Sequence, residues 1–549
     1  MKSKRILTMI LAALTAGTML VSCSSGESGT SSTASTGSSS TAEGGSSAAE
    51  TDSNFNKTGL PIVNEQITLE AIAVSSDESK PVNESLLYQQ LEEKTNVKIE
   101  FNDINKDMWP EKKGILFSSG DLPDFIFGDW ALGTADLLKY GEQGLIIDLK
   151  GLMEEYNPYM KAKLDSTDGT WQAITTADGK IYGYPGLDIS PMQVSNPFFI
   201  NQEWLDAVGM EVPTTTDEFY EVLKAFKTQD PNGNGEADEI PYSFTGNCSD
   251  LFGAFGRLDS FNSRHIVLED DGTKVVYSAA TDEYKAAIEY FHKLFSEGLI
   301  DIEAFSQDGS IFNGKVKGET RLVGVLQGWR DTAWQRTPED ADYVVLPPLT
   351  GPNGDCLFPS RYVTNHGVSS TGSLVITNVC EYPEIVARWA DEWYEPDFSY
   401  QESLQQLEGV HIEFQDDGMI QSIAVRDDFD VNANTFPQAR IHNMALTDHE
   451  RAITPAAHIA RKVEIDQEYL HALRDKDFFP SMMMTLEESD RLAQLNVDLN
   501  GYANECYARW ITEGGVENEW DNYLAELNKM GLEEYISIYQ GALDRYNGQ

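Results

Sequence analysis

Cysteine is scarce, with 5 in 549 residues. Cys248, Cys356, Cys380 and Cys506 lie far apart and in no CxxC pattern, which argues against a zinc site or a dense disulfide framework. Cys506 follows Leu492, Leu495, Leu499 and Tyr502 at alternating steps of three and four, the spacing of a buried helix stripe, and all these cysteines are expected as core thiols. Positive charge is also short: 40 Lys plus Arg face 89 Asp plus Glu, a formal charge of −49. Such a balance leaves no basic patch for counterion release and excludes nucleic acid as a partner. Among the 8 histidines there is no HExxH, and GxSxG, a Cys–His nucleophile motif and GxxxxGK[ST] are missing as well, so the common hydrolytic and nucleotide-binding signatures do not occur. There is no internal repeat and no second long apolar run.

The apolar run that is present lies at the start. Lys2, Lys4 and Arg5 precede Ile6–Leu20, which is too short for a comfortable membrane span and has the form of an export signal over residues 1–22. Leu20, Val21, Ser22 and Cys23 resemble the lipobox of bacterial lipoproteins, which implies lipidation of Cys23 and anchorage on the outer face of the cytoplasmic membrane. Residues 23–58 are nearly all Ser, Thr, Gly and Ala. They cannot bury enough apolar area to order themselves and are expected to act as a tether with a reach of roughly 30 Å.

After the tether, β-like and helical patterns alternate. ITLEAIAV (67–74), VKIEFNDI (97–104) and DFIFGD (124–129) read as strands, with an amphipathic helix over 84–96 between the first two. Further helices are predicted from Thr215, where TTDE offers a capping box, over 282–298 and over 485–511; strands are predicted near 343 and over 372–377. Strand–helix–strand alternation argues for βαβ units, a largely parallel sheet and an α/β, two-lobed body.

DPNGNGEADEIP (230–241) follows a predicted helix and raises a specific question of chemistry. Asp230, Asn232 and Asn234 occupy positions 1, 3 and 5 of an EF-hand-type loop, Gly235 falls at 6, and the carbonyl of Glu236 falls at 7. Position 12 is Pro241, so Asp238 and Glu239 would have to close the sphere. A structural calcium is the expectation; a solvated Asn-Gly turn is the alternative. A phosphate would be repelled by these carboxylates.

WLDAVGMEVPTTTDEFYEVLKAFKTQDPNGNGEADEIPYSF (204–244), LEEKTNVKIEF (91–101), SSGDLPDFIF (118–127), LPPLTGPNG (346–354) and PEIVARWADEWYEP (383–396) together resemble the lipid-anchored solute-binding proteins of carbohydrate ABC importers, a family that includes calcium-containing alginate-oligosaccharide binders. The resemblance implies a type II periplasmic-binding-protein fold, two α/β lobes with a hinge between them, divided at about 60–182 with 321–397 and 183–320 with 398–549. It implies capture of an oligosaccharide between the lobes by a monomer, delivery to separate permease subunits, and calcium on the counterparts of Asp230, Asn232, Asn234, Glu236, Asp238 and Glu239.

Sugar rings present apolar faces edged by hydroxyls, so aromatic and planar polar residues at strand ends are the candidates. They are Asp129 and Trp130, Tyr184, and Trp329 with Arg330; Trp109 and Trp334 follow, then Arg361 and Tyr362. Trp204, Trp389, Trp393, Trp510 and Trp520 sit in helical patterns and are expected in the core. The rival class is a lipid-anchored polysaccharide-cleaving enzyme, which needs only two suitably spaced carboxylates; no motif points to it.

Overall fold

The computed structural model describes residues 54–548 except 78, 260–264, 270, 330–341, 361–366, 426–428, 431–432, 456 and 475. Two sheets organise these residues. The first has the spatial order Asn443–Met444, Tyr184–Asp188, Val368–Ile376, Phe125–Phe127, Ile67–Ser75, Val97–Asn105. Ile67–Ser75 pairs in parallel with Val97–Asn105, from Ile67 opposite Val97 to Ser75 opposite Asn105. Along it Leu69, Ala71 and Ala73 point into one apolar cluster and Ile72 and Val74 into another. Both faces are therefore covered, which is why its sequence is nearly continuously apolar.

The second sheet has the order Tyr343–Leu346, Phe198–Asn201, Val323–Gln327, Ile240–Tyr242. Its core gathers Phe198, Ile200, Trp204 and Phe226 with the helices Asp282–Ser296 and Leu486–Glu513. Thr215 and Thr485 each accept the N–H of a glutamate three residues on, and that glutamate reaches back to the threonine's own N–H. These capping boxes satisfy donors that a helix start leaves open.

The predicted tryptophans fall as expected: Trp204, Trp389, Trp393, Trp510 and Trp520 are all buried. Trp389 and Trp393 pack on Phe127 of the first sheet. No cysteine among Cys248, Cys356, Cys380 and Cys506 is bridged; Cys248 and Cys506 are buried, whereas Cys356 and Cys380 are only half-buried.

Strand pairing corrects two expectations. The sheets are mixed rather than largely parallel, because Val368–Ile376 returns antiparallel to both Phe125–Phe127 and Tyr184–Asp188, and Phe198–Asn201 is antiparallel to both its neighbours. The expected division of the chain also shifts: Tyr184–Asp188 and Asn443–Met444 belong to the first sheet, and Val323–Gln327 and Tyr343–Leu346 to the second. Each strand goes where its apolar face is covered, and a boundary read from sequence blocks does not sense that pairing. The chain passes from the first sheet to the second through 189–197, returns through 347–367, and leaves again after Met444.

Buried titratable groups make stability depend on pH. Burial pushes the Asp391 carboxyl up to about 7, against the opposing hydrogen bonds donated by the N–H groups of Met160 and Tyr159, and pushes Asp250 up to about 6. Burial opposes charging of His265, but Asp259, 2.9 Å from Nδ1, outweighs it and holds the imidazole above its ordinary value. A group whose folded pKa is raised contributes stability that is complete below its unfolded pKa and is lost as pH rises through the folded one. The melting temperature is therefore expected to fall from about pH 5 to about pH 8, and Asp391→Asn to flatten that slope; scanning calorimetry across the range checks both.

Candidate functional site

The strand Phe125–Phe127 runs into a tight turn at Gly128. Gly128 has φ +123°, and a Cβ there would lie 2.4 Å from the Val74 carbonyl oxygen, so only glycine lets the turn press against the neighbouring strand. Its N–H donates to the Ser373 carbonyl at 2.7 Å. That fixes the next two residues at the end of the sheet.

Asp129 accepts the His442 backbone N–H on Oδ1 at 3.1 Å and lies 3.5 Å from Arg440 Nε through Oδ2. Arg440 also donates to Glu402 Oε1 at 3.3 Å. Glu402 is buried and its carboxyl is pushed up by that burial, with Arg440 pulling the other way; Arg440 in turn is held above its ordinary value, chiefly by Glu402. His442 Nε2 stands 3.9 Å from Asp188 Oδ1 at the end of the strand Tyr184–Asp188. Beside this network Trp130 is 44% exposed, with the Lys106 ammonium 4.6 Å from its ring centre. An open indole face next to fixed donors and acceptors is the combination that a sugar ring fits.

Trp329 follows the strand Val323–Gln327 of the second sheet and is half-buried, with Lys462 Nζ 5.2 Å from its ring centre. The preceding Gly328 donates its N–H to Pro197, at the end of the 189–197 crossing.

Two candidates are corrected. Tyr184 is fully buried, its hydroxyl donating to Asn157 Oδ1 at 3.1 Å, and Trp109 is buried with Nε1 donating to the Ala131 carbonyl at 2.7 Å. Both are spent on packing, since a buried Tyr or Trp settles its polar tip inside the fold. Arg330, Trp334, Arg361, Tyr362 and Cys23 lie outside the described residues. Arg440, His442, Asp188 and Lys106 were not anticipated. A trace of the signal was present in ARIHN (439–443), where buried Ala439, Ile441 and Asn443 alternate with the more accessible Arg440 and His442.

The acidic loop forms as a chain of short turns. Asp230 takes a left-handed φ of 50°, and its Oδ2 accepts the Gly235 N–H at 3.0 Å. Asn232 and Asn234 accept the N–H groups of Asn234 and Glu236, and both donate their side-chain amides to Asp238. Glu239 Oε1 is buried with no hydrogen-bond partner, and the carboxyl is pushed up by burial and by the carboxylates of Asp238 and Asp230. An orphaned oxygen among crowded carboxylates and amide oxygens fits a hard cation. Among the described residues no cluster of three or more His, Cys, Asp or Glu converges as a ligand set by itself, so the amide and carbonyl oxygens would have to share the coordination.

Residues 76–397 match the bacterial extracellular solute-binding proteins as a family. The fructooligosaccharide ABC transporter substrate-binding protein FusA of Streptococcus pneumoniae is 33% identical over 531 residues, spanning 91% of this chain and 94% of FusA. Lipoprotein LipO of Bacillus subtilis is 30% identical over 315 residues, 53% of this chain and 58% of LipO. Solved structures of FusA with kestose, and of a FusA EF-hand mutant with fructo-nystose, superpose with TM-score 0.75 at 31% identity, covering 88% of this chain and 100% of theirs. A human-milk-oligosaccharide (HMO)-binding solute-binding protein of Bifidobacterium longum infantis shares the fold, with TM-score 0.76 at 24% identity over 88% of this chain and 99% of its own. This chain belongs to the bacterial extracellular solute-binding protein family.

Proposed function

We propose that this protein is the solute-capturing subunit of a carbohydrate ABC importer and that its solute is a neutral, fructose-containing oligosaccharide. The relation to FusA over nearly the whole of both chains carries this reading. The site agrees with it: Trp130 offers a stacking face, and Asp129, Asp188, Arg440 and His442 offer hydroxyl partners. Asp129 and Asp188 stand among the groups of this network, and their charge disfavours a uronate. These carboxylates are tied to Arg440 or face His442 rather than standing as a free acid–base pair, which favours capture over cleavage. The loaded, closed monomer then docks on permease subunits.

Isothermal titration against kestose, nystose, oligogalacturonate and diacetylchitobiose tests this. Kestose or nystose is expected to bind and be recovered intact, and Trp130→Ala to raise Kd about tenfold. Binding confined to oligogalacturonate would overturn the neutral-sugar assignment, and shortened sugars would bring back the enzyme.

Cys23 carries the lipid anchor in this reading, supported by the lipobox and by the kinship with a protein named as a lipoprotein. Cys23→Ser is expected to move the protein from the membrane fraction to the medium; retention on the membrane would refute it.

The loop at 230–239 holds a structural calcium in this reading, through Asp230, Asn232, Asn234, the Glu236 carbonyl, Asp238 and Glu239. The orphaned Glu239 oxygen supports it. Calcium at a hundredfold excess over Kd is expected to stabilise the fold by about 2.7 kcal/mol. Asp230→Ala combined with Asp238→Ala should abolish that gain while leaving the melting temperature in chelator nearly unchanged.

A further inference from the structure

A carboxylate stands where two crossings meet the second sheet. Phe198 follows the 189–197 crossing and Leu346 precedes the 347–367 one. Tyr469 bridges them, its hydroxyl accepting the Phe198 N–H and donating to the Leu346 carbonyl, each at 2.7 Å. Burial raises the pKa of that hydroxyl, and the Asp250 carboxylate nearby also raises it. Asp250 lies at the start of the short helix Ser249–Phe255. Its Oδ2 accepts Gln327 Nε2 at 2.5 Å, and the same nitrogen donates to the Asn196 carbonyl at 2.9 Å. Both hydrogens of the Gln327 amide are thus spent, and turning the amide over would set its oxygen against two others, so one orientation is fixed. Gln327 is also the carboxyl end of a strand that runs parallel to Ile240–Tyr242, the end beyond which open α/β sheets bind their solutes.

Asp250 is half-buried, and its other oxygen, Oδ1, meets no donor among the described residues and is open to solvent. Surroundings that push the carboxyl up to about 6 while leaving one oxygen within reach describe a recess rather than a convex surface. An acceptor left without a donor in such a place is costly and is satisfied by a ligand that brings hydroxyls.

We propose that Asp250 binds the solute from the second sheet, accepting sugar hydroxyls on Oδ1, and that Gln327 is its positioning residue. This rests on the reading of the solute as a neutral oligosaccharide. A hydroxyl donating to an ionised carboxylate makes a bond roughly twice as strong as one between neutral groups, and the same charge repels a uronate. On the first sheet Asp129 holds the matching place, beyond the carboxyl end of Phe125–Phe127, which runs parallel to Ile67–Ser75. Each sheet therefore offers a carboxylate where its parallel strands end.

Isothermal titration with kestose and nystose tests this, alongside melting temperatures measured without sugar. Asp250→Asn keeps the shape of the side chain and an oxygen for Gln327. It is expected to raise the kestose Kd about tenfold, with the melting temperature nearly unchanged. Gln327→Met is expected to weaken kestose binding about fivefold in the native background and by less than about twofold in Asp250→Ala, the non-additivity of residues acting through one another. Unchanged kestose affinity in Asp250→Asn overturns the proposal while leaving the importer reading intact. A loss of affinity that comes only with a marked fall in melting temperature makes Asp250 a structural residue and overturns it too. Equal losses from Gln327→Met in both backgrounds overturn the positioning role. If the native protein binds neither kestose nor nystose, the fructooligosaccharide reading fails instead, and the proposal fails with it.

Discussion

Two sheets with separate cores share one chain, so the chain must cross between them, and the crossings inherit constraints from both sides. The 189–197 segment is the clearest case. It begins one residue after Asp188, which faces His442, and ends at Pro197, which receives the N–H of the residue before Trp329. Along its length the Gln193 and Val194 amides have no strand to pair with. Buried donors must be satisfied somewhere, and the Asp466 carboxylate does it. The candidate residues at Asp129, Asp188 and Trp329 therefore stand at strand ends that adjoin a crossing.

Electrostatics at the end of the first sheet follow from the same placement. Arg440 lies between Asp129 and the buried Glu402, and each partner lowers the cost of burying the others. Fixed charges and oriented donors of this kind suit a polar solute, and the exposed Trp130 beside them offers an apolar face. The chain as a whole is strongly acidic, which suits solubility outside the cell and adds nothing to the recognition of an anion.

Local features were legible in advance. Strands over 67–74 and 97–104, the capping box at Thr215, the helix carrying Cys506 and the buried tryptophans on helical stripes all formed, because period and capping chemistry act over a few residues. Asp129 and Trp130 lie at a strand end as expected, because a strand running into Gly-Asp-Trp announces its own end. Tyr184 and Trp109 misled for the same reason in reverse. Their neighbours in sequence look like strand and loop ends, yet Asn157 and Ala131, brought up by other elements, take their polar tips. Arg440 and His442 carry no motif, and only the pairing of Asn443–Met444 with Tyr184–Asp188 delivers them to the site.

By itself the sequence determined the acidic charge balance, the α/β alternation, the capped helices and the spacing of oxygen-bearing residues at 230–239. All of these depend on composition or on spacing within a few residues. Tertiary structure alone decided which strand joins which sheet, whether an aromatic residue at a strand or loop end, such as Tyr184 or Trp109, is core or surface, and which charges meet. Those outcomes depend on contacts between residues hundreds of positions apart, such as Asp129 with Arg440 and Gln193 with Asp466, and the energy of such a contact exists only after the chain has closed the loop between them.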